Sequence, residues 1–266
     1  MGKSKKNRQI TAGVLLFLII FFADLILQRM PPEHLREFSM ERLLRTSLLP
    51  VGQTMYIWGG GWSEDDAVAG IEAVTLGVSK QWAEYAARQT ELYDFDKTRY
   101  QNHDGLDCSG YIGWLLYNVF HTRNGGTGYV VGASKMARAC AMRGWGYLIR
   151  NDYCPGDICS MEGHVWMSLG RCMDGSVLLV HASPPGVRIC GTYLADGMKS
   201  QAVMLAERVM KRKYPAWYAR YPECGVGYFY LEDSVSMRWY TDEITDPYHL
   251  QEMHAESIVH FLYPDL

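Results

Sequence analysis

Three side chains in this sequence could do nucleophilic chemistry together: Cys108, His164 and His181. A cysteine is intrinsically a very good nucleophile once a base takes its proton. A histidine can be that base, and a third group can turn and hold the histidine. Cys108 stands in Asp107-Cys108-Ser109-Gly110, after the polar run Asn102-His103-Asp104-Gly105 and before an apolar run from Tyr111 to Phe120. Cys108, Ile112, Leu115 and Val119 fall on one helical face. Asp107 is placed to cap that helix, because its side chain can accept the free amides of the first turn. The thiol then sits at the positive end of a helix. There the thiolate is favoured, and mild alkylation should reach Cys108 first. A lone cysteine at such a place is more often only a buried residue.

The histidines change that balance. His164 to Leu169 and Val177 to Ala182 read as strands, with the polar stretch Gly170 to Gly175 as a hairpin turn between them. A loop centred between Cys172 and Met173 sets His164 across from His181. A tight Asp174-Gly175 turn sets His181 across from Ser168 instead. Either register keeps both histidines on one face, because facing side chains repeat every two residues. A nucleophile, a base and an orienting group could therefore meet. His103, His121 and His254 read as ordinary surface or core histidines.

Composition narrows the alternatives. The 266 residues suffice for one sizeable domain with appendages. There are 29 acidic and 26 basic side chains, for a net charge of −3, which does not favour nucleic acid as a partner. The seven cysteines form no pair of short CxxC knuckles, which argues against structural zinc. Most of them are expected as buried thiols. Tyr56-Ile57-Trp58-Gly59-Gly60-Gly61 lacks the lysine and spacing of a phosphate loop. The chemistry needs no cofactor and no metal.

The elements around these residues follow from pattern. Lys3, Lys5, Lys6 and Arg8 precede an apolar run from Ile10 to Leu27. That run is close to the ~17–25 residues that span a bilayer. Residues 1–30 are expected as a cytoplasmic basic flank and transmembrane signal-anchor, with the rest of the chain outside the cell membrane. A cleaved signal peptide would give the same compartment as a secreted protein. Residues 31–50 read as an amphipathic linker, packing on the domain or lying near the membrane surface. Residues 51–266 read as the catalytic domain. Within it, Ser63 with Asp66 resembles a capping box, and helical spacing runs on to about Arg88. Asn124 to Gly128 is a loop, Ser134 to Met142 a short helix and Gln201 to Lys213 another. Pro215 to Pro222 reads as an aromatic loop, and Gly227 to Leu231 as a strand. The final stretch to Leu266 carries no readable role.

Five short motifs in order give a resemblance. They are Tyr56-Ile57-Trp58-Gly59-Gly60, Asp107-Cys108-Ser109-Gly110, Pro155-Gly156-Asp157, Gly163-His164-Val165-Trp166 and Val180-His181-Ala182-Ser183. Across about residues 51–190 the chain resembles the NlpC-type cell-wall cysteine endopeptidases. The resemblance implies an α+β, papain-like fold, with an antiparallel sheet packed against the helix that bears the nucleophile. It implies hydrolysis of an amide in peptidoglycan stem peptides, typically between γ-D-glutamate and the diamino acid. It makes Cys108 the nucleophile, His164 the base and His181 the orienting residue. It also places Tyr56 beside the cysteine, and Asp107 and Ser109 near the substrate amine. The chain departs from that family by an insertion at about 62–105 and an extension after about 190. Two alternatives stay open: a papain-like N-acetylmuramoyl-L-alanine amidase, and a membrane-anchored wall-binding protein with no activity. The sequence is silent on oligomeric state.

Overall fold

A computed structural model describes residues 38–120 and 128–266. The expected signal-anchor, His121 and most of the loop at 124–128 lie outside the described residues. Among the described residues no helix is long and apolar enough to cross a membrane.

Of the two readings of the linker, packing on the domain is the one observed from Met40 onward. Ser39 caps helix α1 (Met40–Leu48), its side chain accepting from the Arg42 amide. Met40, Leu43, Leu44 and Leu48 are buried there in the main core. From Met40 onward the stretch read as a linker is thus part of the domain, and Phe38–Leu266 is one compact unit.

The elements that follow are strand β1 (Met55–Tyr56), helix α2 (Lys80–Arg88), strand β2 (Gly105–Leu106) and helix α3 (Cys108–Phe120). Next come helix α4 (Met136–Met142) and strands β3 (Gly146–Ile149), β4 (Ile158–Met161), β5 (His164–Arg171), β6 (Val177–Ser183) and β7 (Gly186–Thr192). The chain ends with helices α5 (Gln201–Lys213) and α6 (Pro215–Arg220), strand β8 (Gly225–Val226), helix α7 (Phe229–Glu232), strand β9 (Val235–Trp239) and helix α8 (Ala255–Leu262).

The fold is α+β. Among the described residues nine strands join one sheet, in the order β2-β1-β7-β6-β5-β4-β9-β3, with β8 on β7. The expected antiparallel sheet is in fact mixed, since β1–β2 and β7–β8 pair in parallel. Those parallel pairs are short and lie toward the β2 end. The central ladders from β7 through β6, β5, β4 and β9 to β3 are antiparallel.

Three local expectations needed correction. The helix read from Ser63 to Arg88 is confined to Lys80–Arg88, capped by Ser79. Ser63 instead accepts from the Ala67 and Val68 amides and closes a tight loop, with Trp62 bridged to Ala69. Gly70 and Gly77 lie in between, where helix propensity is poorest. The loop at 215–222 is helical over Pro215–Arg220, with proline in its favoured first turn. The strand read at 227–231 is only Gly225–Val226, and Phe229–Glu232 is a helical turn.

Alternation sorts the sheet into two faces. Val165, Met167, Leu178, Val180 and Ala182 face the main core, together with Ile112, Leu115 and Val119 of α3. Trp166, Val177, Leu179 and Cys190 face a second core, closed by Tyr153, Tyr230 and Leu231. Helix α3 is buried nearly all round, with Tyr111, Trp114 and Phe120 fully inaccessible.

Candidate active site

Strand β2 pairs with β1 and delivers the chain directly into α3, so Cys108 is the first helical residue. Asp107 caps it as its position suggested. Its Oδ1 accepts from the Gly110 amide at 2.6 Å and from Ser109 Oγ at 2.8 Å. The helix tip lies against the loop after β1. A Cβ on Gly110 would come within 2.0 Å of the Gly60 carbonyl oxygen, so only glycine fits there.

The electrostatics of this tip differ from the sequence expectation. Burial raises the Asp107 carboxyl to about 6, against the hydrogen bonds from Gly110 and Ser109 that favour its charge. Cys108 is 5% exposed. Burial first, and the Asp107 charge second, push its thiol up to about 12. The backbone N–H groups of Val165, Ser109 and Cys108 oppose that rise without reversing it. A rise of this size is roughly 4 kcal/mol against the thiolate. A helix terminus returns only ~0.3–2 kcal/mol. Desolvation therefore wins, and Cys108 rests as a thiol.

The two histidines meet. His164 Nε2 lies 3.0 Å from His181 Nδ1, with the rings edge-on at 80°. Neither expected register produces this. Near the turn, Arg171 faces Val177 and Gly170 faces Leu178. Continued unchanged, that register would set His181 across from Met167, on the main-core face and away from His164. The ladder slips by one residue between Ser168 and Gly170, so that Met167 faces Val180. One residue further on, His181 is level with Trp166 and shares its face with His164. The bulge is what brings the pair together.

Burial and the nearby Arg188 charge lower His164 to about 4. Burial, His164 and Arg188 push His181 well below its ordinary range. Both rings are neutral at pH 7. His181 Nε2 is buried without a hydrogen-bond partner.

Cys108 opens onto a cleft of 260 Å³ lined also by Tyr56, Trp58, Trp62, Asp66, Asp107, Ser109 and Gly163. Tyr56, Asp107 and Ser109 thus stand beside the nucleophile. His164 and His181 share the sheet face of Trp166, which packs in the second core, whereas Cys108 packs in the main core. The residues on either side of His164 reach Cys108: Gly163 lines the cleft and the Val165 amide faces the sulfur. Among the described residues no hydrogen bond links Cys108 to either histidine. A larger hollow of 430 Å³ lies among Cys172, Met204, Arg208 and His254 and contains none of these residues. All seven cysteines are free thiols, six of them buried. Among the described residues no three His, Cys, Asp or Glu side chains gather as a metal site.

Three neighbours of the site escaped the sequence reading. Trp62, from the insertion, donates its indole N–H to Ser109 Oγ at 2.9 Å. Arg188 is buried on β7. Tyr230, from the extension, has its ring centroid 5.5 Å from that of His164 and 5.9 Å from that of His181. An aromatic-rich composition hinted at Trp62 and Tyr230, and nothing in the sequence marked Arg188. His103 and His254, read as ordinary, contact Glu72 and the Arg171 carbonyl respectively. No protein-family model, no curated protein and no solved structure matches this chain.

Proposed function

We propose that this protein is a papain-like cysteine hydrolase that cleaves an amide in peptidoglycan stem peptides, with the γ-D-glutamyl–diamino acid bond as the target. The observation that carries the reading is the bonded His164–His181 pair together with Gly163, the residue before His164, lining the cleft onto which the helix-tip Cys108 opens. The reading assigns the thiol proton to Nδ1 of His164, the ring nitrogen that is not bonded to His181. The thiol and imidazole rest neutral, so the proton moves as substrate arrives. Cys108 sulfur then attacks the amide carbonyl carbon. The Cys108 backbone N–H at the helix tip faces the oxyanion, and such a donor is worth roughly 3–4 kcal/mol. His164 returns its proton to the leaving amine as the carbon–nitrogen bond breaks. Water, deprotonated by His164, then hydrolyses the thioester. The apolar run Ile10–Leu27 would hold this domain at the outer face of the cell membrane, near its polymer.

The test is digestion of purified cell wall, with mass spectrometry of the new ends. A new amino end on the diamino acid supports the endopeptidase reading. Release of an intact stem peptide from the sugar marks the amidase instead. Cys108→Ser should abolish either activity while the fold persists, since the change is nearly isosteric. One observation favours a second reading, a wall-binding protein without turnover: the buried thiol is pushed up to about 12. Binding of wall fragments that survives Cys108→Ser, with no cleavage by the wild type, would establish that reading.

A further inference from the structure

We infer that Tyr230 is a positioning residue that selects the tautomer of His181 and so holds His164 in its base form. A histidine as orienting residue raises a problem that a carboxylate or amide oxygen does not. Its Nδ1 can either accept or donate, depending on where its single proton sits. If Nδ1 of His181 carried the proton, it would donate to Nε2 of His164. The His164 proton would then sit on Nδ1, and that ring could not receive a proton from the thiol.

The far side of His181 offers no partner: its Nε2 is buried, so a proton there is a stranded donor and a lone pair there a stranded acceptor. The decision falls to the groups around Nδ1. These are His164 Nε2 at 3.0 Å and the Tyr230 hydroxyl at 3.5 Å. The only hydrogen bond of that hydroxyl among the described residues is this one. With a lone pair on Nδ1, the His164 N–H and the Tyr230 O–H share one acceptor. With a proton on Nδ1, both the Tyr230 O–H donor and the Nε2 lone pair are left without partners, whereas the other tautomer strands the Nε2 N–H alone. The contact is long, as hydrogen bonds of catalytic groups often are before substrate is bound. Burial, and after it the Arg188 charge across from His181 on β7, keeps a second proton off both rings. Tyr230 stays protonated, because burial raises its phenol.

The role in turnover rests on the hydrolase reading, whereas the tautomer does not. The experiment is nitrogen-15 NMR of histidine-labelled protein, wild type against Tyr230→Phe, with wall hydrolysis measured in parallel. In the wild type, His181 and His164 should each carry one proton, on Nε2. Tyr230→Phe should give a mixture of tautomers at His181, with kcat lower by about threefold to tenfold and KM within about twofold. Should Phe fail to fold, Tyr230→Met removes the hydroxyl with similar volume and must give the same mixture. A proton on Nδ1 of wild-type His181, or unchanged tautomers in the variants, would overturn the inference. Wild-type tautomers as stated, disturbed in Tyr230→Phe, with no wall hydrolysis by either protein, would leave it standing and remove the hydrolase reading instead.

Discussion

Arg188 stands directly across the β6–β7 ladder from His181. It is buried, and its Nη1 donates to the carbonyls of Ser183 at 2.7 Å and Pro184 at 2.6 Å. A fixed cation thus lies behind His181, held by backbone oxygens of the turn.

Arg188→Met should raise the pKa of His164 from about 4 toward the ordinary histidine range. Burial is the larger cause of the depression, so the recovery should be partial. NMR titration of the labelled ring measures it. The variant also strands two carbonyls, at a cost of about 1–3 kcal/mol. In the wild type, the unfolded chain binds a proton on this histidine near ~6.5, and the folded chain only near 4. Its contribution to stability is therefore present above the unfolded value and lost as pH falls between the two. Urea midpoints across that window should fall less steeply for Arg188→Met.

Asp107→Asn should lower the Cys108 pKa, because the Asp107 charge is the second cause of its rise. The amide oxygen can still cap α3, so the stability change at neutral pH should stay within about 1 kcal/mol. Thiolate absorbance against pH checks the shift. The folded Asp107 carboxyl is raised to about 6. Its stabilising contribution is thus present at low pH and fades as pH rises through that value. The Asn variant should lack this loss.

Iodoacetamide at neutral pH should label Cys154 before Cys108. Cys154 is partly exposed, and burial pushes it only to about 11. Cys108 is 5% exposed and stands at about 12. This reverses the order expected from a helix-tip cysteine, because desolvation outweighs the helix terminus. Peptide mapping after brief labelling decides it. Earlier labelling of Cys108 would mean that His164 accepts its proton even without substrate.

Gly110→Ala should destabilise the domain by about 1–3 kcal/mol. The added methyl meets the Gly60 carbonyl and the Gly61 Cα at 2.0 Å and 3.0 Å, both of them backbone. Neither can move aside without shifting the helix tip. Chemical denaturation should show the loss, and wall hydrolysis should fall with it as Cys108 moves.

Helices α3 and α5, the Asp107 cap and the two long strands β5 and β6 were legible from sequence. Each rests on local causes: side-chain periodicity, a short polar side chain before a helix, and polar residues in a turn. The buried fate of α1 was half legible, since its leucine spacing marks an apolar face without saying what covers it. Short strands such as β2 and β8 were not legible, because two residues carry no period.

The site divides along the same line. Which residues could act was written in the types and order of Cys108, His164 and His181. Whether the histidines meet was decided by a single unpaired residue in β5. The register at the turn is one that would separate them, and the bulge between Ser168 and Gly170 reverses it. No local pattern specifies that slip, since it follows from how β5 packs between β4 and β6. The ionisation of Cys108 was likewise a tertiary matter, because burial depends on every element around the helix tip. Trp62 and Tyr230 reach the site across sequence separations of 47 and 49 residues from their partners. Contacts of that span come from the closure of the core, so only the folded chain reveals them.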